Sequence, residues 1–225
     1  MQFNTRSREV TLKVVYYGPA LSGKTTNIEA LHGLLAPDAR GRLMTLDTRG
    51  DRTLFFDLLP VHFVTLTGYR VKRKLFTVPG QVVHESTRRI VLQSTDAVCF
   101  IADGQRNQRA ANNDAFAGLR RNLEVNGIDP DTVPTVIQFN KLDLPDVLTP
   151  EEIEICASRG REPVFRAVAL RGEGVVETLK GCLALLWASL EAQHGFSRML
   201  GTTREEFLGR VFQSLERSEE RRVGK

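Results

Sequence analysis

The ten residues GPALSGKTTN, Gly18 to Asn27, constrain this chain more than any other stretch. They follow TLKVVYYG, a run of β-branched and aromatic residues that reads as a buried strand, and lead into Ile28, Leu31 and Leu35 at helical spacing. A strand feeding a helix through such a loop points backbone N–H groups, and the positive end of the helix dipole, at one place. The pattern Gly18-x-x-x-x-Gly23-Lys24-Thr25 is that of a phosphate-binding loop. Lys24 is set to reach β- and γ-phosphates, and the Thr25 hydroxyl suits Mg²⁺, a hard cation that prefers oxygen. A plain strand-to-helix turn with an exposed lysine can carry the same letters. The flanking strand and helix argue against that reading.

Downstream, apolar runs of strand length (DAVCFIAD, TVIQFN and the shorter VFRAVAL) alternate with helical stretches near Val82–Gln93, Arg106–Asn126, Thr149–Ser158 and Val175–Ala192. This order predicts a mostly parallel sheet with helices on both faces. The segment HFVTLTGYRVKRKLFTV reads as a hairpin broken at Thr67-Gly68, with Arg70, Lys72 and Lys74 outward and Val71 inward. From Leu35 to Pro60 the chain reads as a long irregular passage, and loops of that length are commonly functional.

A second motif names the base. Asn140-Lys141-Leu142-Asp143 follows the strand TVIQF, at the sheet edge where open α/β folds bind ligands. The Asp143 carboxylate can accept from the N1–H and 2-amino groups of guanine, donors that adenine lacks. At roughly 1.5–3 kcal/mol for each charge-assisted bond, two such bonds discriminate by about 10²- to 10⁴-fold. Asn140 supports the loop, and the stem of Lys141 can lie over the purine. The plainer reading of NKLD is a turn with a helix-capping aspartate. Between the two motifs, Thr77-Val78-Pro79-Gly80-Gln81 can present the Gly80 N–H to a terminal phosphate and use Gln81 to orient an attacking water. Thr53 can close over Mg²⁺, and Arg52 can place its guanidinium on the charge that develops in the transition state. A solvated loop charge is the bland alternative for Arg52.

Together, GPALSGKTTN, GDRTLFFDLLP, LFTVPGQV and NKLDLP resemble the bacterial small Ras-like GTPases of the mutual gliding-motility, or MglA, type, from about Thr11 to Ala192. The resemblance implies a Ras-like P-loop G domain over residues 1–192. Its sheet is expected to have six strands, one antiparallel, with helices on both faces, and a C-terminal helical extension follows over 193–225. It implies a GTP/GDP switch that hydrolyses GTP to GDP and phosphate, with GTP/GDP and Mg²⁺ as ligands and a role in cell polarity or motility. Candidate nucleotide contacts are Gly18, Ala20, Leu21, Ser22, Gly23, Lys24, Thr25, Thr26, Thr53, Gly80, Asn140, Lys141, Asp143, Ala169 and Leu170. Thr25 and Thr53 are the metal ligands; Arg52, matching an arginine supplied from the first switch, and Gln81 are catalytic. The implied partners are a Roadblock-fold (MglB-like) GTPase-activating protein and unknown effectors.

Two positions depart from the broader pattern. Thr77 stands where most Ras-like proteins have a metal-orienting aspartate, and Ala20 stands where glycine is usual. The Ala20 methyl projects toward the space that Gln81 and Arg52 must reach, which predicts tight GTP binding with slow hydrolysis. The alternative function is therefore a GTP-binding scaffold with negligible turnover. Phe55, Phe56, Leu58 and Leu59 read either as core or as a partner surface exposed in the GTP state. Residues Thr203 to Arg217 form an amphipathic pattern with Phe207, Leu208, Val211, Phe212 and Leu215 on one face. Packing on its own domain, docking of a partner or self, and membrane-surface binding all remain open for it.

Composition excludes rather than selects. With 41% hydrophobic and 26% charged residues among 225, the chain suits a soluble core with an appendage. No run approaches the roughly 18 apolar residues of a membrane span, and no terminal cysteine invites prenylation, so a cytoplasmic protein without a stable membrane anchor is expected, recruitment to a cell pole staying open. The net charge of +4 is dispersed, which gives no nucleic-acid signal. Cys99, Cys156 and Cys182 read as small core residues.

Overall fold

A computed structural model describes residues 1–4, 6–34, 43–48, 51–57, 65, 67–78 and 85–212, with the backbone alone for 2, 3, 43–48, 51–57 and 73. Strand β2 (Glu9–Tyr17) is the middle of the sheet because it can be buried on both sides. Val10, Leu12, Val14 and Tyr16 enter one core, and Val15 and Tyr17 the other. The strand period of two splits a continuous apolar run between two faces. Strand β6 (Ala97–Asp103) is buried along its whole length for the same reason.

The remaining strands are β1 (Gln2–Asn4), β3 (Leu43–Thr48), β4 (Asp51–Asp57), β5 (Arg70–Thr77), β7 (Thr135–Asn140) and β8 (Val164–Arg166). The sheet order is β3-β4-β5-β2-β6-β7-β8, with β1 antiparallel to the first residues of β2. From β5 to β8 all neighbours are parallel, whereas β4 opposes both β5 and β3. This is the expected α/β architecture, widened by β1 and β3. Helices α1 (Lys24–Leu34) and α5 (Val175–His194) cover one face, and α2 (Glu85–Leu92), α3 (Arg109–Val125) and α4 (Pro150–Arg159) the other. Thr149 and Glu152 close a capping box at the start of α4, whose first helical residue is Pro150.

Two expectations need correction. The passage from Leu35 to Pro60 is not irregular throughout: LMTLDT and DRTLFFD pair antiparallel from Thr48↔Asp51 to Leu43↔Phe56. Two residues separate the strands, the shortest link a hairpin favours, and the β-branched threonines within them suit a strand. The expected partner of β5 across Thr67-Gly68 lies mostly outside the described residues, while β4 pairs with β5 through Phe55↔Phe76 and Phe56↔Leu75. Arg70 is exposed and Val71 buried, as the alternation requires. The second correction is Cys156, which lies exposed on α4, whereas Cys99 and Cys182 are buried free thiols.

Through Phe212 the C-terminal amphipathic pattern packs back on its own domain, while Leu215 and the rest of the pattern lie outside the described residues. After α6 (Phe196–Leu200), residues 204–212 are helical, opened by a Thr203–Glu206 exchange of side-chain and backbone hydrogen bonds at 3.2 Å each. Phe207, Val211 and Phe212 are buried in the core that contains α5. Trp187 of α5 lies 5.1 Å from the Phe196 ring and 4.9 Å from the Phe207 ring. Lys180 sits over Phe212 at 5.2 Å. The same segment holds the turn before β5, where the Thr67 hydroxyl donates to the Met199 carbonyl at 2.8 Å. Replacing Phe207 with Ala leaves a cavity beneath Trp187, and urea denaturation is expected to show a loss of about 3–5 kcal/mol.

Candidate functional site

The site stands at the carboxyl edge of the parallel strands, where the chain leaves β2 for α1. Gly18 has φ +153°, and a Cβ there would lie 2.2 Å from the Ile101 carbonyl oxygen of β6. Only glycine lets the loop leave the strand this close to its neighbour. The loop then turns back, Ser22 N–H donating to the Pro19 carbonyl at 3.4 Å. Helix α1 begins at Lys24 with no acidic residue in its first turn, so nothing of its own neutralises the positive end of its dipole. The Lys24 ammonium is buried and donates to the carbonyls of Gly18 at 3.1 Å and Pro19 at 2.6 Å. Ser22 is fully buried, and its hydroxyl has no hydrogen-bond partner among the described residues. Thr25 and Thr26 are half-buried in the first turn of the helix.

Asn140, the last residue of β7, ties this loop to the rest of the edge. Its Nδ2 donates to the Ser22 carbonyl at 2.9 Å, and its Oδ1 accepts from the Ala169 N–H at 2.9 Å. With 2% exposure, it saturates two loops that come from distant parts of the sequence. A Cβ on Gly23, whose φ is +95°, would lie 2.2 Å from that same Nδ2. The second glycine of the loop is thus fixed by Asn140. Lys141 takes φ +64°, and its ammonium reaches the nearly buried Asp103 carboxylate at 2.6 Å. Asp143 faces Arg171 at 3.6 Å, a loose pair because Arg171 is 60% exposed.

These residues enclose one groove of about 220 Å³, lined by Gly23, Thr26, Asn140, Lys141, Asp143 and Ala169. Leu21 and Leu170 also border it and are 88% and 84% exposed, large apolar side chains left uncovered beside a polar slot. The structure thus brings together the loop from Gly18 to Thr26, the NKLD turn, Ala169 and Leu170. Ala20 is exposed. Arg52 and Thr53 have their backbone in β4, opposite Asp47 and Leu46, and their side chains lie outside the described residues. Gly80 and Gln81 lie outside them altogether, as do Leu58 and Leu59. Asp103 and Arg171 were not legible beforehand, because each meets its partner only through strand order.

The residues present suit a nucleotide and its metal. The Ser22 hydroxyl without a hydrogen-bond partner among the described residues, the start of α1 with no acid in its first turn and the folded-back Lys24 ammonium set donors and positive charge at one place, as an anionic phosphate chain requires. Mg²⁺ needs no carboxylate cluster here, and among the described residues there is none; one threonine hydroxyl and phosphate oxygens meet its preference. Replacing Asn140 with Ala orphans the Ser22 carbonyl and the Ala169 N–H. Thermal or urea denaturation is expected to show a loss of about 2–4 kcal/mol, together with weakened nucleotide binding.

No family model matches the chain. It is similar to the mutual gliding-motility protein MglA of Myxococcus xanthus (strain DK1622), with 42% identity over 188 residues, 84% of this chain and 96% of that protein. Identity of that extent, joined to the phosphate loop and NKLD turn of one α/β edge, places the chain in the MglA family of small Ras-like GTPases.

Proposed function

We propose that the chain is a GTP/GDP switch that hydrolyses GTP to GDP and phosphate. The observation that supports this reading is the double hydrogen bond of Asn140, which ties the Gly18–Thr26 loop, the NKLD turn and Ala169 to one another beside one groove. The triphosphate is held by the loop N–H groups from Ala20 to Thr26 and by Lys24, which exchanges loop carbonyls for phosphate oxygens. Asp143 leaves its loose pair with Arg171 to accept from N1–H and the 2-amino group of the base. Leu21 and Leu170 lose their exposure against the nucleoside, and Lys141 is kept in place by Asp103. Thr25 and Thr53 would hold Mg²⁺, which would supply charge neutralisation to the triphosphate.

Hydrolysis needs a water in line with the bond between the γ-phosphorus and the bridging oxygen. Gln81 orients that water, Gly80 N–H meets a γ-oxygen, and Arg52 stabilises the charge on the breaking bond. An arginine in this role is worth about 10³- to 10⁵-fold in rate. Residues 1–192 form the switch domain, and 193–225 its extension. Among the described residues no helix is long and apolar enough to cross a membrane. The relative's name refers to gliding motility, and we extend to this chain a role in motility or polarity, with a Roadblock-fold activating partner.

Ala20 favours a second reading, in which the chain binds GTP as a scaffold and turns it over negligibly. Single-turnover hydrolysis of preloaded GTP at saturating Mg²⁺ separates the two. A switch gives measurable turnover that falls about 10³-fold or more in Arg52→Ala and rises in Ala20→Gly. Tight binding with no turnover in the wild-type chain, with or without an activating partner, leaves only the scaffold.

A further inference from the structure

On the face of the sheet opposite α1 and α5, the outer surface of β7 is left uncovered between α3 and α4. The result is a groove of about 650 Å³, three times the volume of the nucleotide groove and separate from it. Its floor is Phe100, Ile137 and Phe139, and Phe116 of α3 stands edge-on to Phe100 at 5.0 Å. Ile137 is only half-buried although β7 lies between β6 and β8, and Ile155 of α4 is 48% exposed on the opposite wall. Aromatic and aliphatic surface in a concave site of this size is what small-molecule pockets of about 300–1,000 Å³ offer.

The charges around it are one-sided. Four arginines line the groove, Arg106, Arg109, Arg120 and Arg159, against a single acid, Glu152. Arg106 is engaged by Glu152 and by Asp146, and Arg120 by Asp131, which lies outside the groove. Arg159 ends α4, where a cation complements the negative end of the helix. Arg109 has no such account. It is the first residue of α3 and follows directly on a 3₁₀ turn over Arg106–Gln108, its N–H donating to the Arg106 carbonyl, and no acid stands in the first turn of the helix. No ion pair to Arg109 occurs among the described residues. An anion at this mouth would be met by the exposed Arg109 guanidinium, with an apolar trough running away from it. From Arg109 to Arg120 the trough follows α3 for about 16 Å.

We propose that this groove binds an elongated carboxylate, an acyl or aryl chain that lies over Phe100, Ile137 and Phe139 with its carboxyl group at Arg109. Nothing in this assignment depends on the nucleotide or on turnover. The test is a fluorescence titration of the 225-residue chain with dansyl-undecanoic acid and, in parallel, with its uncharged methyl ester. Saturable binding of the acid is expected, with the ester about tenfold weaker. Arg109→Glu should weaken the acid by about tenfold or more and leave the ester nearly unchanged. Ala117→Trp, on the exposed surface of α3 within the groove, should block both. No saturable binding by the wild-type chain overturns the proposal, as does acid binding that Ala117→Trp leaves intact in a chain whose circular dichroism is native. Equal affinity for acid and ester, or for wild type and Arg109→Glu, overturns the placement of the carboxyl group.

Discussion

The two hydrogen bonds of Asn140 are the constraint on which the site depends. A buried amide has one acceptor oxygen and one donor nitrogen to place, and here each goes to the backbone of a different loop. Leaving either unmade costs about 1–3 kcal/mol, so the phosphate loop and the turn at Ala169 adopt one relative position. The glycine at 23 follows from that position, because any Cβ would collide with the Asn140 amide. Strand order makes the meeting possible. Chain segments more than a hundred residues apart, Ser22 and Asn140, become neighbours because β6 alone separates β2 from β7.

The C-terminal extension shows how an appendage becomes part of the core. Trp187 is too large to be covered by α5 and the sheet, and Phe196 and Phe207 complete its burial from beyond the end of α5. The extension also reaches the turn before β5 through Thr67 and Met199. That turn leads into β5, which pairs with the strand carrying Arg52 and Thr53 and ends at Thr77.

The fold and half the site were legible in the sequence because they rest on local chemistry. The glycine spacing at 18 and 23, the apolar runs of β2, β6 and β7, and the helical stretch near Thr149–Ser158 each act within a few residues. The β3–β4 hairpin was not legible: its strands carry charges and threonines, and a strand at the edge of a sheet need not show a clean alternation. The pairing of Lys141 with Asp103 and the opposition of Asp143 and Arg171 depend on which strands lie side by side, which no local pattern encodes. The destination of the C-terminal helix was equally hidden. An amphipathic face states that something must cover it, and only the assembled α5 surface states what.

Base selectivity tests the central claim most directly, because it depends on Asp143 being held in the same groove as the phosphate loop. The chain, loaded with a fluorescent GDP derivative, is titrated with GTP and with ATP in the presence of Mg²⁺. Displacement by GTP is predicted at concentrations about 10²-fold or more below those at which ATP competes. Equal displacement by the two nucleotides would contradict the assignment of the NKLD turn, and with it the reading of the groove as a guanine-nucleotide site.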